Sequence, residues 1–226
     1  KIISSDAVVG IYNHEPLNKG YMSYHKAYLN YYYSYNNKDY QFTNFAAACA
    51  GIKKSVFNKL NGFNEKIKWG MDYECEEFGY RIVTNNYKLI VSPETSIKHH
   101  FPNGLIGIKL YFIRVSNWVN FYLNIKKKFD KSAATTPVVA FGCISALFSL
   151  VSLLLYTIMN LKFLYITFFL FVFFYIAIFL NFFIFIFKKN KAKFLGIFII
   201  NYIISSVIAL SSFVGVLKFL KSKIIK

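Results

Sequence analysis

Apolar and polar positions divide this chain into two unlike parts. Over roughly the first hundred residues, short apolar bursts alternate with Tyr, Asn and Lys. The last ninety or so are almost continuous Phe, Ile, Leu and Val. Each burst reads as a short element. Ala7-Val8-Val9-Gly10-Ile11-Tyr12 stops at turn-prone Asn13 and predicts a strand. Residues 19–33, dense in Tyr, fit either a helix or an irregular surface segment. Phe45-Ala46-Ala47-Ala48-Cys49-Ala50-Gly51-Ile52 is small and apolar, as in a strand packed under a helix. Residues 53–60 then show helical spacing at Val56 and Leu60 and stop at Asn61-Gly62. Tyr87-Lys88-Leu89-Ile90-Val91 is a β-rich run closed by Ser92-Pro93, and residues 95–99 suit an edge strand.

From residue 104 onward the period becomes helical. Leu105, Ile108, Tyr111, Phe112, Val115, Val119 and Tyr122 mark one face up to about residue 129, while Lys109 and Arg114 interrupt any hydrocarbon crossing. Trp118 and the tyrosines suit a headgroup layer, so residues 104–131 read as an amphipathic interface helix and basic linker. Three candidate spans follow at 137–159, 163–187 and 194–217, each uncharged and long enough for a bilayer. Only Asn160-Leu161-Lys162 joins the first two, which forces a tight helical hairpin. The expected organisation is α/β over residues 1–103, the interface helix over 104–131, and two to three transmembrane helices over 132–226.

Charge sharpens this picture. The formal net charge is +17, and the lysines gather beside apolar spans, as in Lys126-Lys127-Lys128 and Lys188-Lys189. That placement favours a membrane over nucleic acid as the partner. It also puts both basic loops, with the first hundred residues, on the cytoplasmic face of the inner (plasma) membrane. A third full crossing would send Lys218, Lys221, Lys223 and Lys226 to the opposite side, against the same rule, so either the last span is re-entrant or tilted back or the short tail tolerates the violation. Cys49, Cys75 and Cys143 are odd in number and widely spaced, so neither a disulfide framework nor a zinc site is suggested. The opening Lys1-Ile2-Ile3, without Met, looks like that of a fragment, or a mature or recoded start.

Against so basic a background, residues 69–81 are unusual. Trp-Gly-Met-Asp-Tyr-Glu-Cys-Glu-Glu-Phe-Gly-Tyr-Arg holds four of the ten acidic side chains. A short helix is expected from near Tyr73, with Asp72 as N-cap and Cys75, Phe78 and Ile82 on its apolar face. Glu74 falls in the first turn, near the positive end of the helix dipole. Glu77 and Arg81 stand one turn apart, as an ion pair requires.

These residues resemble the acidic signature of family-2 glycosyltransferases. Aligned from Glu77-Phe78-Gly79-Tyr80-Arg81, Glu74 takes the family's Glu and Cys75 its Asp, the family's usual catalytic base. Aligned instead through Gly62-Phe63-Asn64-Glu65 and Trp69-Gly70, Asp72 comes nearer that role. Lys53-Lys54-Ser55-Val56-Phe57 and Pro93-Glu94-Thr95-Ser96-Ile97-Lys98-His99 also resemble family segments, with Cys49-Ala50 near the family's Asn. The resemblance covers roughly residues 7–100 and implies the C-terminal, acceptor-side part of a GT-A-type domain. It implies that Asp72 or Glu74 is the catalytic base, and that Trp69, Cys75, Glu77 and Arg81 lie about the substrate. Trp69 could equally be a packing residue. His99 would be one ligand of a divalent cation, Mg or Mn. The implied activity is inverting transfer of a sugar from a nucleotide-sugar or polyprenyl-linked donor to a lipid-linked or polysaccharide acceptor.

The family's nucleotide-binding half, with its Asp-x-Asp, has no counterpart in residues 1–62, where Ser5-Asp6-Ala7 and Lys38-Asp39-Tyr40 are lone acids. On this reading the chain alone is inactive and most cation ligands lie elsewhere. The alternative is a non-catalytic membrane subunit or scaffold whose acidic helix docks a partner. The absence of charge within the spans argues against an ion path.

Overall fold

A computed structural model describes residues 5–36, 44–67, 73–124 and 136–224. In order they form β1 (Ala7–Tyr12), α1 (Tyr21–Asn36), a 3-10 turn (Ala47–Cys49), β2 (Ala50–Ile52), α2 (Lys54–Lys59), α3 (Glu74–Thr84), β3 (Leu89–Ile97), α4 (Gly104–Asn124), α5 (Pro137–Met159), α6 (Lys162–Lys189) and α7 (Lys191–Ile224). The chain divides into two compact units. The first takes in the sheet, α2, α3 and α1 from Lys26 on. The second takes in α4 to α7 together with Gly20–His25, and the boundary after the sheet falls between Phe101 and Pro102.

The sheet of the first unit has the order β2-β1-β3, with β1 antiparallel to β2 and parallel to β3. Along β1 burial alternates, so Ala7, Val9 and Ile11 face a core completed by Val56 of α2 and Leu60 at its C-cap, Phe78 and Ile82 of α3, and Leu89 and Val91 of β3. Phe78 is fully buried at its centre, its ring centroid 4.6 Å from Phe63 and 5.2 Å from Phe45. α2 ends because Asn61 and Gly62 both take positive φ, at 56° and 60°.

The β-rich run does not close at Ser92-Pro93 as its sequence suggests. β3 continues to Ile97, but its register with β1 slips, so that Val9 faces Val91 while Ile11 already faces Ser96. Pro93 has no amide hydrogen to give a ladder, and the irregularity contains it. The Tyr-rich segment, whose composition fits helix or loop, is helical from Tyr21 on as part of the continuous α1.

Asp6 secures the entrance to the sheet. Its carboxylate accepts from the Lys88 amide at 2.9 Å and from Lys53 Nζ at 3.1 Å, while its backbone bonds both Lys88 and Lys53. One side chain thereby ties β1 to the starts of α2 and β3.

In the second unit, α5, α6 and α7 are each long and apolar enough to cross a membrane. Their ends follow from single residues. Thr136 caps α5 by accepting from the Val139 amide, ahead of Pro137 in the first turn. Asn160, left-handed at φ 50°, closes α5 and permits the hairpin. Asn190 alone separates α6 from α7. Its amide donates to Ile186 O at 2.8 Å and its side chain accepts from the Lys193 amide at 3.2 Å. α7 is one unbroken helix, so its last span is not re-entrant within itself.

Gly20–His25 joins this unit through polar contacts that hydropathy does not register. Ser23 Oγ donates to Asn103 Oδ1 at 2.9 Å. His25 Nε2 lies 2.9 Å from Asn201 Oδ1, and Asn201 Nδ2 donates to the Tyr175 hydroxyl at 2.8 Å. All three side chains of that chain are buried, as interhelical hydrogen bonds in an apolar bundle require.

The Lys88 amide and the Lys53 ammonium hold the Asp6 carboxyl below its ordinary value of 3.8. A lowered folded-state value means that this stabilisation is complete above the ordinary range. It disappears as pH falls through the folded value. Asp6→Asn should lower the melting temperature of the detergent-solubilised chain at pH 7, by the equivalent of about 1–2 kcal/mol. It should also flatten the acid limb of the melting temperature below about pH 4. Parallel acid limbs in parent and variant would refute this role.

Candidate functional site

α3 carries the acidic cluster, and its N-cap position is Tyr73, one residue later than the Asp72 expected from sequence. Asp72 and Trp69 lie outside the described residues. Glu74, Glu76 and Glu77 occupy the first turn, where their charge meets the positive end of the helix dipole.

Glu77 and Arg81 meet as their spacing anticipates. Arg81 Nε donates to Glu77 Oε1 at 2.6 Å and Nη2 to Glu77 Oε2 at 3.0 Å, a two-point pair that fixes the guanidinium plane. The same group does more than spacing reveals. Nη1 donates to Leu60 O at 2.6 Å and Nη2 to Gly62 O at 2.7 Å, while the guanidinium carbon sits 5.0 Å from the Phe78 ring centroid. Arg81 thus holds the carbonyls of the left-handed turn after α2, and Glu77, buried to 8% exposure, neutralises it. Both side chains direct their hydrogen-bonding groups into the protein, which gives them a positioning part in the site.

Other acids at the helix start have a different environment. Asn44 Nδ2 donates to Glu76 Oε1 at 3.3 Å, and the Phe45 amide donates to Cys75 O at 3.0 Å, stitching this strand-side segment to the first turn of α3. Half-buried Cys75 belongs to the side of α3 that also carries Phe78 and Ile82. Glu74 Oε2 and Asn44 Oδ1 are both closed off from solvent with no hydrogen-bond partner among the described residues. A buried acceptor left unfilled costs about 1–3 kcal/mol, so a hydroxyl presented to it would be stabilised.

His99 follows β3. Its ring centroid lies 4.9 Å from those of both Tyr12 and Phe101. Burial holds its imidazole below the ordinary range, helped by the charges of Lys26 and His100. The ring is therefore neutral at neutral pH, the form that can ligate a cation. Among the described residues, no three His, Cys, Asp or Glu side chains stand together to hold a metal ion. The described part of the chain does not by itself assemble the divalent-cation site expected around His99.

The sequence did not single out a cleft of about 790 Å³ on the sheet face opposite the core, lined by Val8, Gly10, Cys49, Ser92, Glu94 and Thr95. At Gly10 its walls come close to the backbone of β1, since a Cβ there would collide with Cys49 Sγ and lie 2.6 Å from Thr95 O. The register slip in β3 supplies the polar wall, where Ser92 Oγ donates to Glu94 Oε2 at 2.8 Å. The available signal was Pro93 inside a β-rich run.

No protein-family model, curated protein or solved structure matches this chain.

Arg81→Ala would strand the buried Glu77 carboxylate and release two carbonyls. It should destabilise the chain by about 3–5 kcal/mol in thermal unfolding. Adding Glu77→Gln to it should recover part of that loss, because the uncompensated charge is removed. Strict additivity of the two substitutions would show that the pair does not act as a unit.

Proposed function

We propose that this chain is the acceptor-side part of a membrane-anchored, inverting glycosyltransferase of the GT-A type. It would transfer a sugar from a nucleotide-sugar or polyprenyl-linked donor to a lipid-linked or polysaccharide acceptor. The observation that carries this reading is the Arg81 clamp. The resemblance to the family includes two separate stretches, Gly62-Phe63-Asn64-Glu65 and Glu77-Phe78-Gly79-Tyr80-Arg81, which place the catalytic base in different registers. Arg81 joins them physically, through Gly62 O on one side and Glu77 on the other. Two motifs that serve one device have reason to occur together.

Inverting transfer asks little of the protein. A carboxylate takes the proton of the acceptor hydroxyl while the oxygen attacks the anomeric carbon and the leaving phosphate departs. Glu74, on the first turn of the clamped helix and with one oxygen sealed from water, suits that role. Asp72, two residues earlier, is the alternative base. Trp69 and Cys75 lie along the same stretch and would border the substrate. Arg81 and Glu77 hold the turn in place. Neutral His99 is the donor this chain would offer to a Mg or Mn ion whose other ligands come from elsewhere. The three apolar helices would keep the site near a lipid-borne acceptor, at the cytoplasmic face of the plasma membrane.

One observation favours a second reading, that of a non-catalytic membrane subunit. Glu77 and Arg81, half of the acid-helix motif, are taken up by internal bonding, as in a helix that only shapes a docking surface.

Membranes expressing the chain in its native genetic context should transfer labelled sugar from a nucleotide-sugar donor into the lipid fraction. Replacing the base by Ala, whether at Glu74 or at Asp72, should lower the rate by about 10²-fold or more while the melting temperature is retained. Full activity in both single variants and in the double variant would leave only the scaffold reading.

A further inference from the structure

The helical unit contains no Asp or Glu in its sequence, yet it carries Lys109, Arg114, Lys126-Lys127-Lys128, Lys162, Lys188-Lys189, Lys191, Lys193, Lys218, Lys221, Lys223 and Lys226. No carboxylate side chain of that unit can neutralise any of them. Four of the described cations meet neutral groups instead. Lys193 Nζ lies 3.5 Å from the Tyr24 ring centroid, Lys191 Nζ 5.4 Å from Phe187 and Lys223 Nζ 5.4 Å from Phe219. Lys218 Nζ donates to Ser116 Oγ and to Asn117 Oδ1, both at 2.9 Å. Aromatic faces, hydroxyls and amides orient a cation without cancelling its charge.

Lys218 has the most elaborate setting. α7 closes on α4 at Gly215, where an added Cβ would come within 2.7 Å of Ser116 O and 2.8 Å of Val119 Cβ. This approach brings Ser116, itself fully buried and bonded to Ile113 O at 3.0 Å, beneath the ammonium. An ammonium has three N–H groups, and two of them point at α4, so one remains for a ligand at the exposed surface. Lys221 stands three residues on, on the same side of α7. On α4, Trp118 and Tyr122 stack with centroids 5.1 Å apart, directly after the residues that hold Lys218.

The same stretch of α7 exposes an apolar stripe. Phe213, Leu217, Leu220 and Ile224, spaced four, three and four apart, are 61%, 47%, 49% and 84% exposed. α7 has 34 residues, which makes it about 51 Å long. Lys191 and Lys218 are thus about 40 Å apart along it, close to the thickness of a bilayer with its headgroup layers. Lysines beside an exposed apolar stripe at the end of such a helix, with stacked aromatic rings alongside, are what a headgroup layer selects.

We propose that the α4–α7 seam at Lys218 is a binding site for the phosphate of an anionic membrane lipid. The ammonium groups of Lys218 and Lys221 face the phosphate, Ser116 and Asn117 aim Lys218, and the stripe from Phe213 to Ile224 lies along the acyl chains. The site stands apart from sugar transfer and needs none of its residues.

Trp69→Phe leaves Trp118 as the one tryptophan, a reporter beside the site. The full chain in phosphatidylcholine vesicles should be quenched more strongly when the brominated lipid is phosphatidylglycerol than when it is phosphatidylcholine. That preference should weaken with added salt. Lys218→Gln and Lys221→Gln should each reduce it roughly fivefold. Lys218→Arg should retain it, and so should Lys162→Gln at the α5–α6 turn. Lys221→Gln keeps the test open if Lys218→Gln does not fold. Equal quenching by the two brominated lipids in the parent would overturn the proposal, as would a preference unchanged in the Lys221→Gln protein.

Discussion

One guanidinium holds the acidic helix to the turn before it. Arg81 reaches a carboxylate on its own helix and two carbonyls contributed by a turn some twenty residues earlier. Those carbonyls belong to Leu60, which caps α2, and to Gly62, which follows at positive φ, so they cannot be satisfied by continuing that helix. Without Arg81 the turn would lose its acceptors' partners and Glu77 would be a buried charge alone. With it, Phe63 is set against Phe78 and the core closes over α2 and α3 together. The chemistry proposed for Glu74 depends on this anchoring, because Glu74 occupies the first turn of the anchored helix.

The helical unit solves an opposite problem. While Ser145, Ser206 and Ser211 bond carbonyls of their own helices, some of the other polar side chains it buries join helices: Tyr175 to Asn201, Asn201 to His25, and Ser149 to Tyr202. In an apolar surrounding such bonds specify which helices meet, since apolar contact alone discriminates poorly among greasy surfaces. Its charges lie towards the helix ends and on α4, and the unit has no acid of its own to pair with them. Surface and interior are thus organised by different rules, the interior by neutral hydrogen bonds and the rim by cations.

Much of this was legible in the sequence, for identifiable reasons. Thr136-Pro137 and Asn160 mark the ends of α5 by local chemistry alone, so residues 137–159 could be bounded without tertiary information. Glu77 and Arg81 are one turn apart, and an i,i+4 pair is a local property too. What escaped depends on distance. Nothing in Ser5-Asp6-Ala7 announces that a lone acid will meet Lys53 and Lys88. The bonds of Arg81 to Leu60 and Gly62 are equally invisible to periodicity. Gly20–His25 looks like the rest of a Tyr-rich segment, but its partners Asn103 and Asn201 lie some eighty and more residues away. The acidic stretch was only partly legible, since Tyr73 takes the cap position assigned to Asp72. β3 outran its reading because a proline can sit inside a strand where the ladder slips past it.

The single-residue joint at Asn190 has a further implication for how the helical unit tolerates change over evolution. Because one side chain and one amide terminate α6 and begin α7, the two helices share a fixed rotational phase. Each residue added to a helix rotates all later positions by about 100°. A one-residue insertion between Asn190 and Asn201 would therefore swing that amide away from Tyr175 while leaving hydropathy untouched. Length in this connection is constrained more tightly than composition, so homologous chains should vary freely in which apolar residues they use there and hardly at all in how many.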